Sequence, residues 1–276
     1  MSGKPLRPFL KWPGGKQWFF KKYREYLPAT VSRLYEPFLG GGAAFFSLAP
    51  ETSILSDINT DLINLYQVMK ESPEELAQCM RKHQKLHSKE YYYQIRAASF
   101  SNSIQAAGRF LYLNRTCYNG MYRVNHKGQF NVPIGTKTDC IYDVGIFPLY
   151  AALLTKASLM VCDFSFAIDS AKEGDFVFAD PPYTVSNKQS SFIKYNQSLF
   201  TWEDQERLFT ALTAARDRGA HIVLTNANFP PLRRMYRDAG FFVKTLERHS
   251  VISADLNHRG KRQELLVTSI PFRKRN

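Results

Sequence analysis

The tetrapeptide Asp180-Pro181-Pro182-Tyr183 closes the apolar run Asp175-Phe176-Val177-Phe178-Ala179, and its residue types suit the capture of a planar amino group. Each proline locks φ at about −65° and narrows the choices of the residue before it, so the chain leaves the strand on one rigid path. The Asp180 carboxylate and the Pro181 carbonyl can both accept from an NH2 group, while the Tyr183 ring offers a face for stacking. An extra-helical nucleobase presents that chemistry. The same tetrapeptide also serves as a plain strand terminator, so the rest of the chain has to separate the two readings.

A second chemical feature is Glu36-Pro37-Phe38-Leu39-Gly40-Gly41-Gly42, between a short strand pattern and the apolar helix start Ala43-Ala44-Phe45-Phe46. Its glycines allow a sharp turn and close approach of the backbone to a ligand. Asp57 ends the next strand pattern 17 residues beyond Gly40, where a carboxylate can receive hydrogen bonds from ribose hydroxyls. Asp57 or Asn59 can equally cap the helix that follows, and the two roles are compatible. A nucleoside-type cofactor is implied. The loop is not Gly-x-Gly-x-x-Gly, and Pro13-Gly14-Gly15-Lys16-Gln17 lacks both the upstream glycine and the Ser or Thr of a phosphate-binding loop, which disfavours dehydrogenase and ATPase readings. Lys11-Trp12-Pro13-Gly14-Gly15-Lys16 packs an aromatic ring, a glycine turn and two amines into six residues, either as a binding feature or as a surface turn with one core tryptophan.

The elements that must position these residues are legible as alternating patterns. Strand-like runs occur at 34–37, 53–57, 159–163, 176–179, 221–225 and 265–268, with helical stretches at 204–218 and 231–239, the latter followed by Gly240. Such alternation predicts an α/β fold with a doubly wound, mostly parallel sheet. Between residues 72 and 142 the pattern changes to helices at 74–86, 89–98 and 103–116, with Leu76, Met80, Ile95, Phe110 and Leu113 at core positions. The stretch 118–135 is rich in Gly, Asn and polar residues, and Asn125-His126-Lys127-Gly128 suits a turn between two extended arms. The polar stretch 184–199, with Phe192 and Tyr195, reads as a loop able to close over a bound base, or as an ordinary surface loop.

The chain has 276 residues, 44% of them hydrophobic, enough to bury a sizeable core. Its 37 Lys and Arg against 24 Asp and Glu give a formal charge of +13, which favours a polyanionic partner. Cys79, Cys117, Cys140 and Cys162 are too scattered for a zinc knuckle and are expected to be buried thiols. The N-terminus lacks a signal-peptide core and no apolar stretch reaches the roughly 18 residues of a bilayer span, so a cytoplasmic location and no membrane partner are expected. The Arg273-Lys274-Arg275 tail reads as a solvated end.

The order Lys-Trp-x-Gly-Gly-Lys, a glycine loop after Phe38, Asp57-Ile58-Asn59, Tyr118-Asn119-Gly120 and Asp180-Pro181-Pro182-Tyr183 resembles the DNA adenine-N6 methyltransferases of the Dam type, the D12 class with alpha-group motif order. The resemblance covers nearly the whole chain. It implies a Rossmann-like S-adenosyl-methionine-dependent methyltransferase, with a catalytic domain at 1–71 and 143–276 and a helical target-recognition insert with a β-hairpin at 72–142. It further implies transfer of a methyl group to N6 of a flipped adenine in duplex DNA at GATC or a related site, by a monomer without metal, as in restriction-modification or other DNA methylation. By this similarity Trp12 and Lys16 hold the methionine end of the cofactor, Phe38 and the loop of Gly40 and Gly42 pack against it, Asp57 binds its ribose, and Asp163 and Phe164 hold its adenine. Asp180, Pro181, Pro182 and Tyr183 hold the target base, with Asp180 also lining the cofactor.

The resemblance extends into the insert, where Tyr118 and Asn119 act at the flipped-base gap, Arg123 reads a guanine edge, Met121 and Pro133 make apolar base contacts, and Arg115, Asn125 and Lys137 complete the DNA contacts. After Gly135 the family often carries an arginine, where this chain has Thr136 and Lys137. RNA or protein-amide methylation would use the same cofactor fold, but the protein-glutamine enzymes usually begin the Pro-Pro motif with Asn rather than the Asp180 found here. A non-enzymatic DNA-binding regulator would be expected to have lost one of these motif residues.

Overall fold

Parallel strands need crossover connections, and the apolar runs are spaced to provide them. In the computed structural model, which describes residues 6–125, 127–137, 143–183, 200–249 and 261–272, the strands are β1 (Arg33–Glu36), β2 (Thr52–Asp57), β3 (Ala157–Val161), β4 (Phe176–Ala179), β5 (His221–Ala227), β6 (Phe242–His249) and β7 (Lys261–Thr268). They form a seven-stranded sheet in the order β3-β2-β1-β4-β5-β7-β6. Pairings β2–β3, β1–β4 and β4–β5 are parallel, and β7 runs against both of its neighbours. The expected mostly parallel α/β sheet is therefore observed.

The chain divides into two compact units, Met1–Lys22 with Leu39–Cys162, and Tyr23–Phe38 with Asp163–Asn276. The first unit contains α1 (Gln17–Lys22), α2 (Ala43–Leu48), β2, α3 (Thr60–Glu71), α4 (Pro73–Leu86), α5 (Lys89–Ala97), α6 (Ser103–Thr116), α7 (Phe147–Leu154) and β3. Phe9, Phe46, Tyr66 and Tyr150 form an aromatic cluster in its core, with Phe9 and Tyr66 4.9 Å apart and Phe46 and Tyr150 5.6 Å apart between ring centroids. The five core positions read from the helical pattern, Leu76, Met80, Ile95, Phe110 and Leu113, are buried. Asn59 rather than Asp57 caps α3, accepting the Leu62 N–H at 3.1 Å. No named strand interrupts the described residues from α3 to α7. The ribbon expected at 118–135 exists as two antiparallel bridges, Cys117 with Ile134 and Val124 with Phe130, rather than as full strands.

The second unit contains β1, α8 (Phe164–Asp169), β4, α9 (Trp202–Asp217), β5, α10 (Pro230–Asp238), β6 and β7. Residues 176–179 and 222–224 are buried throughout, as strands flanked on both sides in a sheet must be. Helix α9 opens on a capping box in which the Thr201 hydroxyl accepts the Asp204 N–H and the Asp204 carboxylate accepts the Thr201 N–H. That box starts the helix two residues before the apolar period suggests. Strand β3 begins and ends two residues earlier than expected, because Asp163 serves as the N-cap of α8. Cys117 is buried as expected, but Cys79 and Cys162 are only half-buried. Cys140, the 184–199 loop with Phe192 and Tyr195, and the Arg273-Lys274-Arg275 tail lie outside the described residues.

Leu224 is fully buried at the centre of β5. Leu224→Ala is expected to cost about 2–5 kcal/mol of stability. Denaturant unfolding followed by circular dichroism measures it.

Candidate active site

In the first unit the site is built around Asp57 at the end of β2. Its carboxylate accepts the Gly40 N–H at 3.1 Å and the Asn59 N–H at 3.0 Å. Desolvation pushes the Asp57 pKa upward, against the N–H donations from Gly40, Asn59 and Ile58 that favour the charged form. The loop that it pins takes left-handed backbone at Gly40 (φ 44°) and Gly42 (φ 67°). A Cβ at Gly40 would lie 2.6 Å from Cδ1 and Nε1 of Trp12, so glycine is required for both conformation and space. The Gly40 carbonyl in turn accepts the Tyr66 hydroxyl at 3.2 Å. Ile58, next to Asp57, is 78% exposed, an apolar surface at the carboxyl end of a strand.

Trp12 is not an isolated core residue. Its ring stacks on Tyr122 at 5.4 Å and lies 6.5 Å from Phe110 of α6. Asn114 of α6 holds the preceding residue by both backbone groups, accepting the Lys11 N–H at 3.0 Å and donating to the Lys11 carbonyl at 2.7 Å. Lys16 is almost fully buried and its Nζ donates to the Gly14 carbonyl at 2.8 Å, so this amine closes its own glycine turn.

Of the sequence-predicted DNA contacts, Tyr118, Asn119, Met121, Arg123, Asn125 and Pro133 share one ribbon, and Arg115 lies in the last turn of α6 before it. The Tyr118 N–H donates to the Pro133 carbonyl at 2.9 Å, and the Gly135 N–H to the Thr116 carbonyl at 2.7 Å. Tyr118 is exposed, and Asn119 adopts φ 55°, a conformation that asparagine tolerates and that turns the chain sharply toward Met121. Asn125 shapes the ribbon tip, its Oδ1 accepting from the Lys127 and Gln129 N–H groups at 2.9 and 3.0 Å. Arg123 donates from Nε to Asn131 Oδ1 at 2.8 Å, which fixes the plane of its guanidinium. Burial lowers the Lys11 pKa, and the nearby Lys137 and Arg115 lower it further, to about 8. Lys11, Arg115 and Lys137 thus make a cluster of positive charge at the base of the ribbon.

The second unit carries the other predicted residues. Phe38 stacks on Phe164 at 5.3 Å, and Phe200 packs on both at 5.6 Å. Asp163 Oδ1 accepts from the Ser165 backbone at 2.9 Å, from the Ser165 hydroxyl and from Arg207 at 2.7 Å. Desolvation acts to raise the Asp163 pKa, but these donors outweigh it and hold the carboxyl below its usual range. At the end of β4, Asp180 Oδ1 accepts the Thr225 hydroxyl at 2.8 Å, and the Tyr183 hydroxyl donates to Glu264 Oε2 at 3.0 Å. Pro181 is buried and Pro182 half-buried between them. Thr225, Glu264, Arg207 and Asn131 were not singled out from sequence. A signal existed for the first two, because each is a polar residue inside or bordering an apolar strand run.

A mostly parallel sheet with a pinned glycine loop at its carboxyl edge and an acidic residue closing the next strand is the arrangement by which open α/β sheets take a nucleoside-type cofactor. The family model for D12 class N6 adenine-specific DNA methyltransferases matches residues 12–252, and the chain belongs to that family. It is 36% identical over 273 residues to the type II methyltransferase M1.LlaDCHI of Lactococcus lactis subsp. cremoris, covering 96% of this chain and 95% of that one. It is also 36% identical over 262 residues to the type II methyltransferase M.MjaIII of Methanocaldococcus jannaschii, covering 87% and 90% of the two chains. With the DNA adenine methylase of Escherichia coli K12 it shares 32% identity over 273 residues, 97% of each chain. The protein is accordingly an adenine-specific DNA methyltransferase that uses S-adenosyl-methionine as methyl donor. The residues present fit that donor: the Gly40 backbone leaves no room for a side chain, Asp57 brings a carboxylate to the strand end, and Ile58 offers an uncovered apolar surface. No helix among the described residues is long and apolar enough to cross a membrane, and none of their His, Cys, Asp and Glu side chains cluster as a metal site.

Gly40→Ala is expected to drive the Trp12 ring from its stack and to weaken cofactor binding at least about tenfold, with about 1–3 kcal/mol lost in stability. Calorimetric titration with S-adenosyl-methionine and thermal unfolding measure the two effects, and wild-type values for both would contradict the fit.

Proposed function

We propose that the protein methylates N6 of an adenine flipped out of duplex DNA within GATC or a related site. The observation that carries the reading is the Asp180-Pro181-Pro182-Tyr183 segment at the end of β4, whose carboxylate accepts the Thr225 hydroxyl of β5 and whose phenol donates to the Glu264 carboxylate of β7. In this assignment Trp12 and Lys16 hold the methionine end of the donor, the Phe38, Gly40 and Gly42 segment packs against it, Asp57 binds its ribose, and Asp163 with Phe164 takes its adenine. S-adenosyl-methionine supplies an electrophilic methyl group on its sulfonium.

The work of the chain is positioning and electrostatics. The N6 lone pair of adenine is delocalised into the ring, and hydrogen bonds from the amino group to Asp180 and to the Pro181 carbonyl draw it into a geometry aimed at the methyl carbon. Extrusion of the base costs a few kcal/mol, offset by stacking on Tyr183 and by Tyr118 and Asn119 filling the vacated gap. Residues 72–142 act as the target-recognition insert, in which Arg123 donates to O6 and N7 of a guanine, Met121 and Pro133 make apolar base contacts, and Arg115, Asn125 and Lys137 contact the DNA. The exposed Tyr118, the fixed plane of Arg123 and the positive cluster at the ribbon base support this role.

Asp180→Ala is expected to lower methyl transfer to duplex DNA by about 10²-fold or more, since it removes a charged acceptor at the reacting amino group, while the fold survives. Transfer of labelled methyl from the cofactor measures this, and substantial retained turnover would overturn the assignment. For Arg123→Ala the expected loss is about 1–3 kcal/mol of discrimination at one guanine, with cofactor affinity unchanged. Mapping N6-methyladenine in DNA from cells expressing each form reads the site and its relaxation together, and an unchanged sequence preference would exclude Arg123 as the reader.

A further inference from the structure

We infer that Thr225 and Glu264, on the paired strands β5 and β7, are positioning residues that fix Asp180 and Tyr183 before a base arrives. The inference rests on the assignment of Asp180 to Tyr183 as the adenine site. The two prolines restrain the backbone of this segment, but they leave the side-chain torsions of the flanking Asp180 and Tyr183 free. Those torsions decide where the carboxylate and the ring stand.

The sheet supplies the missing restraints through its register. Ala179 pairs with Leu224, so Asp180 and Thr225 each follow one member of the last parallel rung between β4 and β5. Thr225 is fully buried and its hydroxyl donates to Asp180 Oδ1 at 2.8 Å. A buried hydroxyl that lost this acceptor would be left unpaired, so the bond is retained. Across the antiparallel pairing, Thr225 faces Leu266 and Ala227 faces Glu264. Side chains alternate along strands, so Thr225 and Glu264 project from the same face. Glu264 is 5% exposed and accepts the Tyr183 hydroxyl at 3.0 Å, although it lies 81 residues further along the chain. The reversed strand β7 therefore delivers a buried carboxylate to a phenol that local sequence cannot reach. Each functional side chain is tied at one end: Asp180 through Oδ1, Tyr183 through its hydroxyl, which sets the ring face.

The test uses the full chain in single-turnover methyl transfer to duplex DNA at saturating S-adenosyl-methionine, with cofactor affinity measured separately by calorimetry. Thr225→Val nearly preserves shape and suits a strand. It is expected to slow transfer about 10- to 100-fold, as misplacement of a reacting group does, while cofactor affinity stays within about twofold. Thr225→Ser, which restores the hydroxyl, is expected to return the rate to within about threefold of wild type. Glu264→Gln keeps an acceptor for the phenol and should stay near the wild-type rate, whereas Glu264→Leu should slow transfer only while Tyr183 has its hydroxyl. In a double-mutant cycle, Tyr183→Phe should therefore cancel the effect of Glu264→Leu. A wild-type rate for Thr225→Val, equal slowing by Val and Ser, or independent effects of Glu264→Leu and Tyr183→Phe would overturn the inference. Substantial retained transfer by Asp180→Ala would instead reject the assignment of the adenine site.

Discussion

The hydrogen bond from the Gly40 N–H to the Asp57 carboxylate is the constraint on which the first unit depends. It joins the glycine loop to the end of β2 and holds Gly40 in a left-handed conformation that leaves space for only a hydrogen at Cα. Trp12 fills the space above that hydrogen, and its ring continues as a stack through Tyr122 and Phe110. Asn114 then locks the backbone of Lys11 onto α6. The glycine loop, the N-terminal segment and the base of the ribbon thus form one packed network, in which a shift of α6 or the ribbon is felt at Gly40 through rings that have no room to slide.

The second unit solves the matching problem differently. Its carboxylates at 163 and 180 are oriented chiefly by side chains, with one backbone amide at Asp163. Asp163 collects a hydroxyl, an amide and a guanidinium on a single oxygen, and Arg207, which supplies the last of these, also lies 4.9 Å over the Phe164 ring. Asp180 and Tyr183 follow a chain path set by prolines and take their side-chain orientation from β5 and β7. Preorganisation of this kind moves the entropic cost of ordering these groups from the moment of reaction to folding. That placement accounts for the buried Thr225 and Glu264 on β5 and β7.

The sheet was legible in sequence where its strands are buried. Phe176-Val177-Phe178-Ala179 reads as a strand because nothing in it faces water, and its observed bounds coincide with the reading. Strand β6 was missed for the opposite reason: it lies at the sheet edge, with Phe242 and Glu247 exposed among alternating polar residues, so it carries little apolar signal. Helix α7 was missed because Phe-Pro-Leu-Tyr-Ala-Ala-Leu-Leu is apolar nearly throughout and shows no helical period. Among the site residues, Asp57 was visible by its spacing from Gly40, whereas its hold on the Gly40 amide was not. Contacts such as Thr225 with Asp180 or Tyr183 with Glu264 join residues 45 and 81 positions apart, and no local pattern encodes such a partner.

The base of the ribbon combines partial burial with positive charge. Lys11 is partly desolvated and faces Lys137 and Arg115, and the combined effect brings its pKa down to about 8. Under the proposed assignment a DNA phosphate brought to this cluster opposes both effects, since it adds a negative charge beside the three cations and converts mutual repulsion into shared attraction. The net charge of +13 acts in the same direction over a longer range. Binding strength and sequence reading would then come from different parts of one region: affinity from the charged base, and discrimination from Arg123, whose guanidinium plane Asn131 already fixes. Under that assignment a change at the base would alter how tightly DNA is held without altering which bases Arg123 faces, because phosphate contacts position and base contacts specify.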